Sequence, residues 1–210
     1  MVDQIINKEH RLSDTGIREL LAQGLGRLDL EGRRVLVVIP DGTRTAPIGL
    51  FFALLGDILG TKVEALDYLI ALGTHPAMDD AAKGHLLETA VVDGMAGESR
   101  IFNHRWDTPE TVATLGTIPA DEVAAATDGT LEIDIAVRLN QLEGGEEGNT
   151  PYDHILVCGP VFPHEVAGFS GGNKYFVPGV AGPEVVDAPA WVGALVPSRG
   201  RDGGRGGPVR

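Results

Sequence analysis

The 210-residue sequence has a single cysteine, Cys158, so no disulfide can form within the chain. Its place at the end of an apolar run reads as a packed thiol rather than a nucleophile. Long hydrophobic runs are also missing. Val35 to Ile39 and Ile48 to Leu55 fall far short of the ~20 apolar residues that span a bilayer. The opening MVDQIINKEHRL has no basic stretch followed by an apolar one, so no secretory signal is read there and the cytoplasm is the expected compartment. Positive charge is scarce: 17 Lys and Arg stand against 30 Asp and Glu, a formal net charge of −13. Such a balance repels nucleic acid phosphates and anionic membrane surfaces and excludes both as natural partners of the body of the protein. An anionic small molecule would bind only at a local cluster of positive groups. What is present is 43% hydrophobic with a mean hydropathy of +0.04, enough core for one large domain or two small ones.

Apolar spacing and turn chemistry predict the elements. Ser13-Asp14 caps a helix carrying Ile17, Leu20, Leu21, Leu25 and Leu28 at helical spacing. Val35 to Ile39, closed by Pro40, reads as a strand buried on both faces. Pro47 begins a helix over Ile48 to Leu59, which Gly60 stops. The second half of Val63 to Leu72 reads as another buried strand. Met78 to Thr89 is a helix starting at Asp79-Asp80, whose charges suit the positive end of its dipole. Arg100 to His104 is a short strand with a polar exit. Trp106 to Thr127 mixes turn signals with the acidic, alanine-rich PADEVAAAT and yields no clear element. Leu131 to Leu139 alternates and suggests an antiparallel or half-exposed strand. Gly144 to Thr150 is a surface turn, His154 to Cys158 a buried strand, and Pro183 to Val196 is compatible with a helix. From Ser198 the sequence SRGRDGGRGGPVR reads as a disordered tail, leaving a domain at residues 1–197. The pattern is that of an α/β fold, a sheet flanked by helices.

Chemistry-bearing residues gather at three predicted strand ends. The first strand ends in PDGTRTAP, which puts Asp41, Thr43 and Arg44 beyond its carboxyl end, where open α/β sheets bind ligands. Asp41 and Thr43 also suit a plain capped turn, whereas the planar guanidinium of Arg44 suits bidentate capture of a carboxylate. The next strand ends in Gly73-Thr74-His75-Pro76. A lone histidine is more often structural than catalytic, but His75 follows its strand as Arg44 follows the first. The run after His154 to Cys158, GPVFPHEVAGFSGGNKYFVPG, holds His164, Ser170 and Lys174. Gly171-Gly172 would let a ligand approach bare N–H groups beside the Lys174 ammonium. A tight loop with a solvated lysine is the plain alternative, because a GGxK outside a phosphate-loop spacing is weak evidence.

DGTR at Asp41 to Arg44, ALGTHP at Ala71 to Pro76, and HEVAGFSGGNKYFVPG at His164 to Gly179, in this order, resemble the nickel-pincer lactate racemase family. The resemblance spans nearly all of residues 13–197 and corresponds to the N-terminal domain, roughly half of the usual enzyme. It implies a Rossmann-like α/β domain facing a second α/β domain, with the active site between them. It implies as cofactor the nickel-pincer nucleotide (nickel pyridinium-3,5-bisthiocarboxylic acid mononucleotide), attached covalently to a lysine that Lys174 matches. It implies that His75 and His164 are the bases for the two hydroxyl orientations. Arg44 matches the residue that binds the carboxylate of a small 2-hydroxy acid. Asp41 would orient Arg44 or a cofactor hydroxyl, Thr43 would join a phosphate network near the helix start, and Ser170, Gly171 and Gly172 would flank the cofactor.

Two departures stand beside these matches. The family's nickel-ligating histidine falls at about Ala190, whose methyl cannot coordinate a metal, so no protein metal ligand is assigned. The C-terminal domain is also missing, so a partner chain or an absent domain would supply the remaining contacts, and the chain reads as a truncated form. The competing reading is a non-catalytic domain or inactive remnant that keeps a pocket for an anionic nucleotide or hydroxy acid. A third is a half-enzyme whose exposed apolar face needs a partner.

Overall fold

A computed structural model describes residues 12–141, 151–164 and 168–187, with His164 and Gly168 described in their backbone only. The expected surface turn at Gly144 to Thr150, the position of Ala190 and the arginine-glycine tail lie outside the described residues.

The elements in chain order are α1 (Asp14–Leu25), β1 (Arg34–Pro40), α2 (Ile48–Leu59), β2 (Ala65–Ala71), α3 (Asp80–Leu87), β3 (Met95–Ala96), β4 (Ser99–Asn103), β5 (Val112–Ile118), α4 (Ala120–Ala126), β6 (Ile135–Asn140), β7 (His154–Val157), β8 (Pro163–His164) and β9 (Gly168–Phe169). Local chemistry accounts for the helix starts. Ser13 Oγ accepts from Gly16 N at 3.2 Å, and Asp79 Oδ1 accepts from Ala82 N at 2.8 Å, each satisfying an otherwise orphaned amide. Beyond Leu59, Gly60 N donates to Gly56 O at 2.8 Å and the chain turns away.

Five strands form one sheet in the order β3-β4-β2-β1-β7. β1 pairs in parallel with both β2 and β7, β2 pairs in parallel with β4, and β3 closes the far side antiparallel to β4. The central strand is apolar on both faces because both are covered: Val35 to Ile39 are at most 1% exposed. Val35, Val37 and Ile39 pack with Tyr68, Ile70, Leu55, Ile58, Leu59 and Leu87 under the helices. The alternate residues Leu36, Val38 and Leu69 face the other way, onto Tyr175 and Val180. Each aliphatic side chain fully buried here contributes about 1.5–3 kcal/mol relative to exposure. The segment after the glycine-rich loop thus forms part of the second layer of the fold.

Three elements differ from expectation. β7, expected as a buried strand, is an edge of the sheet among the described residues, and Ile155 and Val157 are each 38% exposed. An apolar edge strand and an apolar central strand have the same sequence pattern. The blurred stretch before Thr127 contains β5 and α4, with β5 antiparallel to β6. A register shift between Thr114 and Gly116 breaks the alternation that would have revealed β5, and leaves Leu115 68% exposed. This hairpin and α4 form a small cluster of Val123 and Ile135 with Ala181 and Val185.

His104, at the exit of β4, joins that lobe to the sheet. Its ring is 1% exposed, with Nε2 2.9 Å from Ala181 O and Nδ1 3.3 Å from Asn140 Nδ2. A neutral imidazole satisfies both contacts by donating through Nε2 and accepting through Nδ1. Burial lowers its pKa, and the opposing pulls of the Ala181 carbonyl and Asp107 do not restore it.

Candidate functional site

β2, β1 and β7 lie side by side and run parallel, so the loops that leave their carboxyl ends emerge together. The strand order reverses about β1, since successive strands build out on one side through β2 and β4 before β7 returns to the other. Such a switch point opens a crevice beyond the strand ends. The loop after β1 carries Asp41, Thr43 and Arg44; the loop after β2 carries His75; the run after β7 leads to Phe162, His164, Ser170 and Lys174.

Asp41 is the buried centre of the first two loops. Its side chain is 9% exposed. Oδ1 accepts from the Thr43 hydroxyl at 2.6 Å and the Thr43 amide at 3.2 Å, while Oδ2 lies 2.5 Å from His75 Nδ1. Burial pushes the Asp41 carboxyl up, but the hydrogen bonds from the Thr43 hydroxyl, His75 and the Thr43 amide outweigh it and hold the pKa below the ordinary value. The carboxylate stays ionised and accepts a hydrogen bond from Nδ1–H of His75. That tautomer leaves Nε2 as the ring's acceptor, on a side chain that is 53% exposed. Among the described residues the hydrogen bonds of the Asp41 carboxylate go to Thr43 and His75. Thr43 directs its hydroxyl at Asp41.

Arg44 is held differently. Its guanidinium lies over the Phe162 ring at 5.5 Å, and among the described residues its side chain makes no hydrogen bond or ion pair. The contact bridges the loops after β1 and β7. Phe162 also reaches the glycine-rich stretch, because its carbonyl accepts from Ser170 N at 2.9 Å and from Ser170 Oγ at 3.3 Å. Gly171 follows at φ +80°, where a Cβ would run into the Pro160 carbonyl, so this position requires glycine.

Gly172–Tyr175 forms a single 3₁₀ turn that places Lys174 at half-buried depth. Desolvation lowers the pKa of the Lys174 amine, which raises its neutral, nucleophilic fraction. Tyr175, the next residue, is buried against the Gly159 backbone, and its phenol is pushed up to about 12, chiefly by burial. Gly73 N donates to Gly179 O at 2.8 Å, which ties the His75 loop to the end of the lysine stretch.

The structure thus joins Asp41, Thr43 and His75 directly, and links Arg44 through Phe162 to Ser170. His164 enters by its backbone alone, paired with Gly168 in the short β8–β9 ladder. Among the described residues no group of three or more His, Cys, Asp or Glu side chains could hold a metal ion. Sequence reasoning missed Phe162 and Tyr175. Their only sequence signal is aromatic residues flanking the Pro163-His164 and Lys174 positions, and which way they pack is decided by the sheet.

The chain matches the family described as the lactate racemase N-terminal domain over residues 10–144 and 147–189. A protein from Thermotoga maritima of known crystal structure is 31% identical and superposes with a TM-score of 0.80; the match covers 94% of this chain and 45% of that one. The chain therefore spans less than half the length of that relative. No curated protein matches it.

Proposed function

The chain belongs to the lactate racemase N-terminal domain family, and from that premise we propose that it is the half of a 2-hydroxy acid racemase or epimerase that binds substrate and cofactor. The observation that carries the reading is the Asp41-held His75, exposed at one strand end, with Arg44 on the neighbouring loop and, among the described residues, without a carboxylate partner. A base and an anion acceptor in adjacent loops suit an α-hydroxycarboxylate: Arg44 takes the carboxylate in a bidentate grip, and His75 Nε2 accepts the hydroxyl proton. His164 is assigned the same task for the opposite hydroxyl orientation. Each histidine takes the hydroxyl proton in its own orientation and gives it back to the same oxygen. The face of C2 to which the hydride returns decides the enantiomer, so both a proton and a hydride must return.

When bound, the family's nickel-pincer nucleotide supplies hydride acceptance from C2 and its return. The residues present fit attachment at Lys174, whose amine is partly desolvated beside two glycines at positive φ. Ser170 to Gly172 would flank the attached group. The protein is assigned to the cytoplasm; among the described residues no helix is long and apolar enough to cross a membrane.

Intact-mass measurement on protein from its native host, with chiral chromatography of added D- or L-lactate, tests the reading. A nucleotide-sized adduct that Lys174→Ala removes, together with interconversion of the enantiomers, is expected. Asp41→Asn should then lower turnover roughly 10²-fold with little change in KM, since it disorders the base without touching the carboxylate site. A bare Lys174 and no interconversion would favour the second reading, a binding domain that keeps the anion pocket; Ala190, at the place expected for the nickel ligand, favours that alternative.

A further inference from the structure

Arg18, Arg33, Arg34, Arg100, Arg105 and Arg138 each place the guanidinium against an Asp or Glu carboxylate. In a chain with 30 acidic and 17 basic residues that is the ordinary fate of an arginine. Arg44 departs from it: among the described residues its side-chain contact is the face of Phe162, 5.5 Å from the ring centroid. The difference has a chemical consequence. A carboxylate partner would cancel the positive charge and occupy the donor edge of the guanidinium. An aromatic face fixes the plane of the group by cation–π attraction and leaves its N–H donors directed elsewhere.

Phe162 is coupled to the rest of the site through a second, independent contact. Its carbonyl accepts both the amide and the hydroxyl of Ser170, at 2.9 and 3.3 Å, and thereby anchors the turn that carries Lys174. Its ring holds the loop after β1 while its backbone holds the glycine-rich stretch after β7. Phe162 thereby links the Arg44 loop to the turn that carries Lys174.

We propose that Phe162 is a positioning residue that holds the Arg44 guanidinium open, in a fixed plane, for the carboxylate of the substrate. The proposal rests on the 2-hydroxy acid reading of the site. It assigns Phe162 to ground-state carboxylate binding rather than to proton transfer, which His75 serves from the neighbouring loop. Leucine at 162 keeps the backbone carbonyl that anchors Ser170 and much of the apolar volume, but has no π face. Tyrosine keeps the face.

The test uses the full chain as wild type, Phe162→Leu, Phe162→Tyr and Arg44→Ala. In the ligand-free protein, the Arg44 Hδ and Hε resonances should be shifted upfield by the ring in wild type and Phe162→Tyr, and return toward ordinary values in Phe162→Leu. D- or L-lactate, titrated by calorimetry, should bind about threefold to tenfold more weakly to Phe162→Leu, within about twofold of wild type to Phe162→Tyr, and not measurably to Arg44→Ala. Equal affinity in wild type and Phe162→Leu would overturn the proposal, as would equal weakening by leucine and tyrosine, which would mark a general disturbance of the loop. If wild type binds no lactate but the Arg44 resonances respond as stated, the aromatic hold on Arg44 stands while the 2-hydroxy acid reading fails. If the resonances do not respond, the proposal fails whatever the affinity.

Discussion

Single side chains set the protonation pattern of this protein. Asp41 and His104 are both buried and both shifted downward, with opposite meanings. For the Asp41 carboxylate the folded state favours the charged form, so its contribution to stability is present above the ordinary carboxylate range and is lost as pH falls through the lowered value. For His104 burial favours the neutral form. The unfolded chain then takes up a proton first as pH drops below about 6.5, and stability declines between that pH and the lowered folded value, with a slope of at most about 1.4 kcal/mol per pH unit for one proton. Thermal melts from pH 8 to 5 should show this decline in wild type. His104→Phe should lower stability throughout by removing the links to Ala181 and Asn140, yet flatten the slope below pH 6.5. A slope unchanged in the variant would assign the acid sensitivity to another group. None of this was legible in the sequence. His104 there is only the polar exit of a short strand, and its two partners come from distant parts of the chain.

At the scale of elements, the amino end of the sheet is fastened by a polar knot on the face opposite the helices. Asp67, on β2, has a side chain 3% exposed. Its carboxylate accepts from Arg100 N at 2.8 Å, from Arg100 Nε at 3.0 Å and Nη2 at 2.7 Å, and from Tyr152 Oη at 2.7 Å. The knot joins β2, β4 and the approach to β7, while Arg34 at the start of β1 lies over the Tyr152 ring at 5.4 Å. Arg100→Ala strands a buried carboxylate and should cost about 3–5 kcal/mol in urea denaturation, whereas Asp67→Leu with Arg100→Leu should recover most of that loss. A single variant costing less than ~1 kcal/mol would show that Tyr152 and the backbone amide suffice. The helices were legible element by element because their signals are local: Ser13, Pro47, Asp79 and Gly60 act within one turn of where they stand. β5 and α4 were not, since the register shift at Thr114/Gly116 is imposed by pairing with β6.

At the scale of the whole molecule, apolar surface is exposed along β7 and the run that follows it. Ile155 and Val157 on the open edge of β7 are 38% exposed, Val161 is 65% and Phe169 44%. An apolar groove between α1 and the end of β7, lined by Leu21, Leu25, Phe51, Leu156 and Cys158, adds to it. A strand edge that is unpaired among the described residues and flanked by apolar side chains favours association. Size-exclusion chromatography should show concentration-dependent association, and Val157→Lys should shift the protein toward monomer without lowering its melting temperature by more than a few degrees. A strictly monomeric wild type at 100 μM would refute this. The sequence by itself determined the α/β class, the positions of the first three helices and the identity of the chemistry-bearing side chains, because periodicity, capping and residue type act over a few positions. Tertiary structure alone decided that β7 is an edge, that Asp41 serves His75, that Phe162 supports Arg44, and that Tyr175 and Val180 cover the back of β1. Those relations join residues up to 144 positions apart, as between Leu36 and Val180. Only the order of strands in the sheet brings such residues within contact distance.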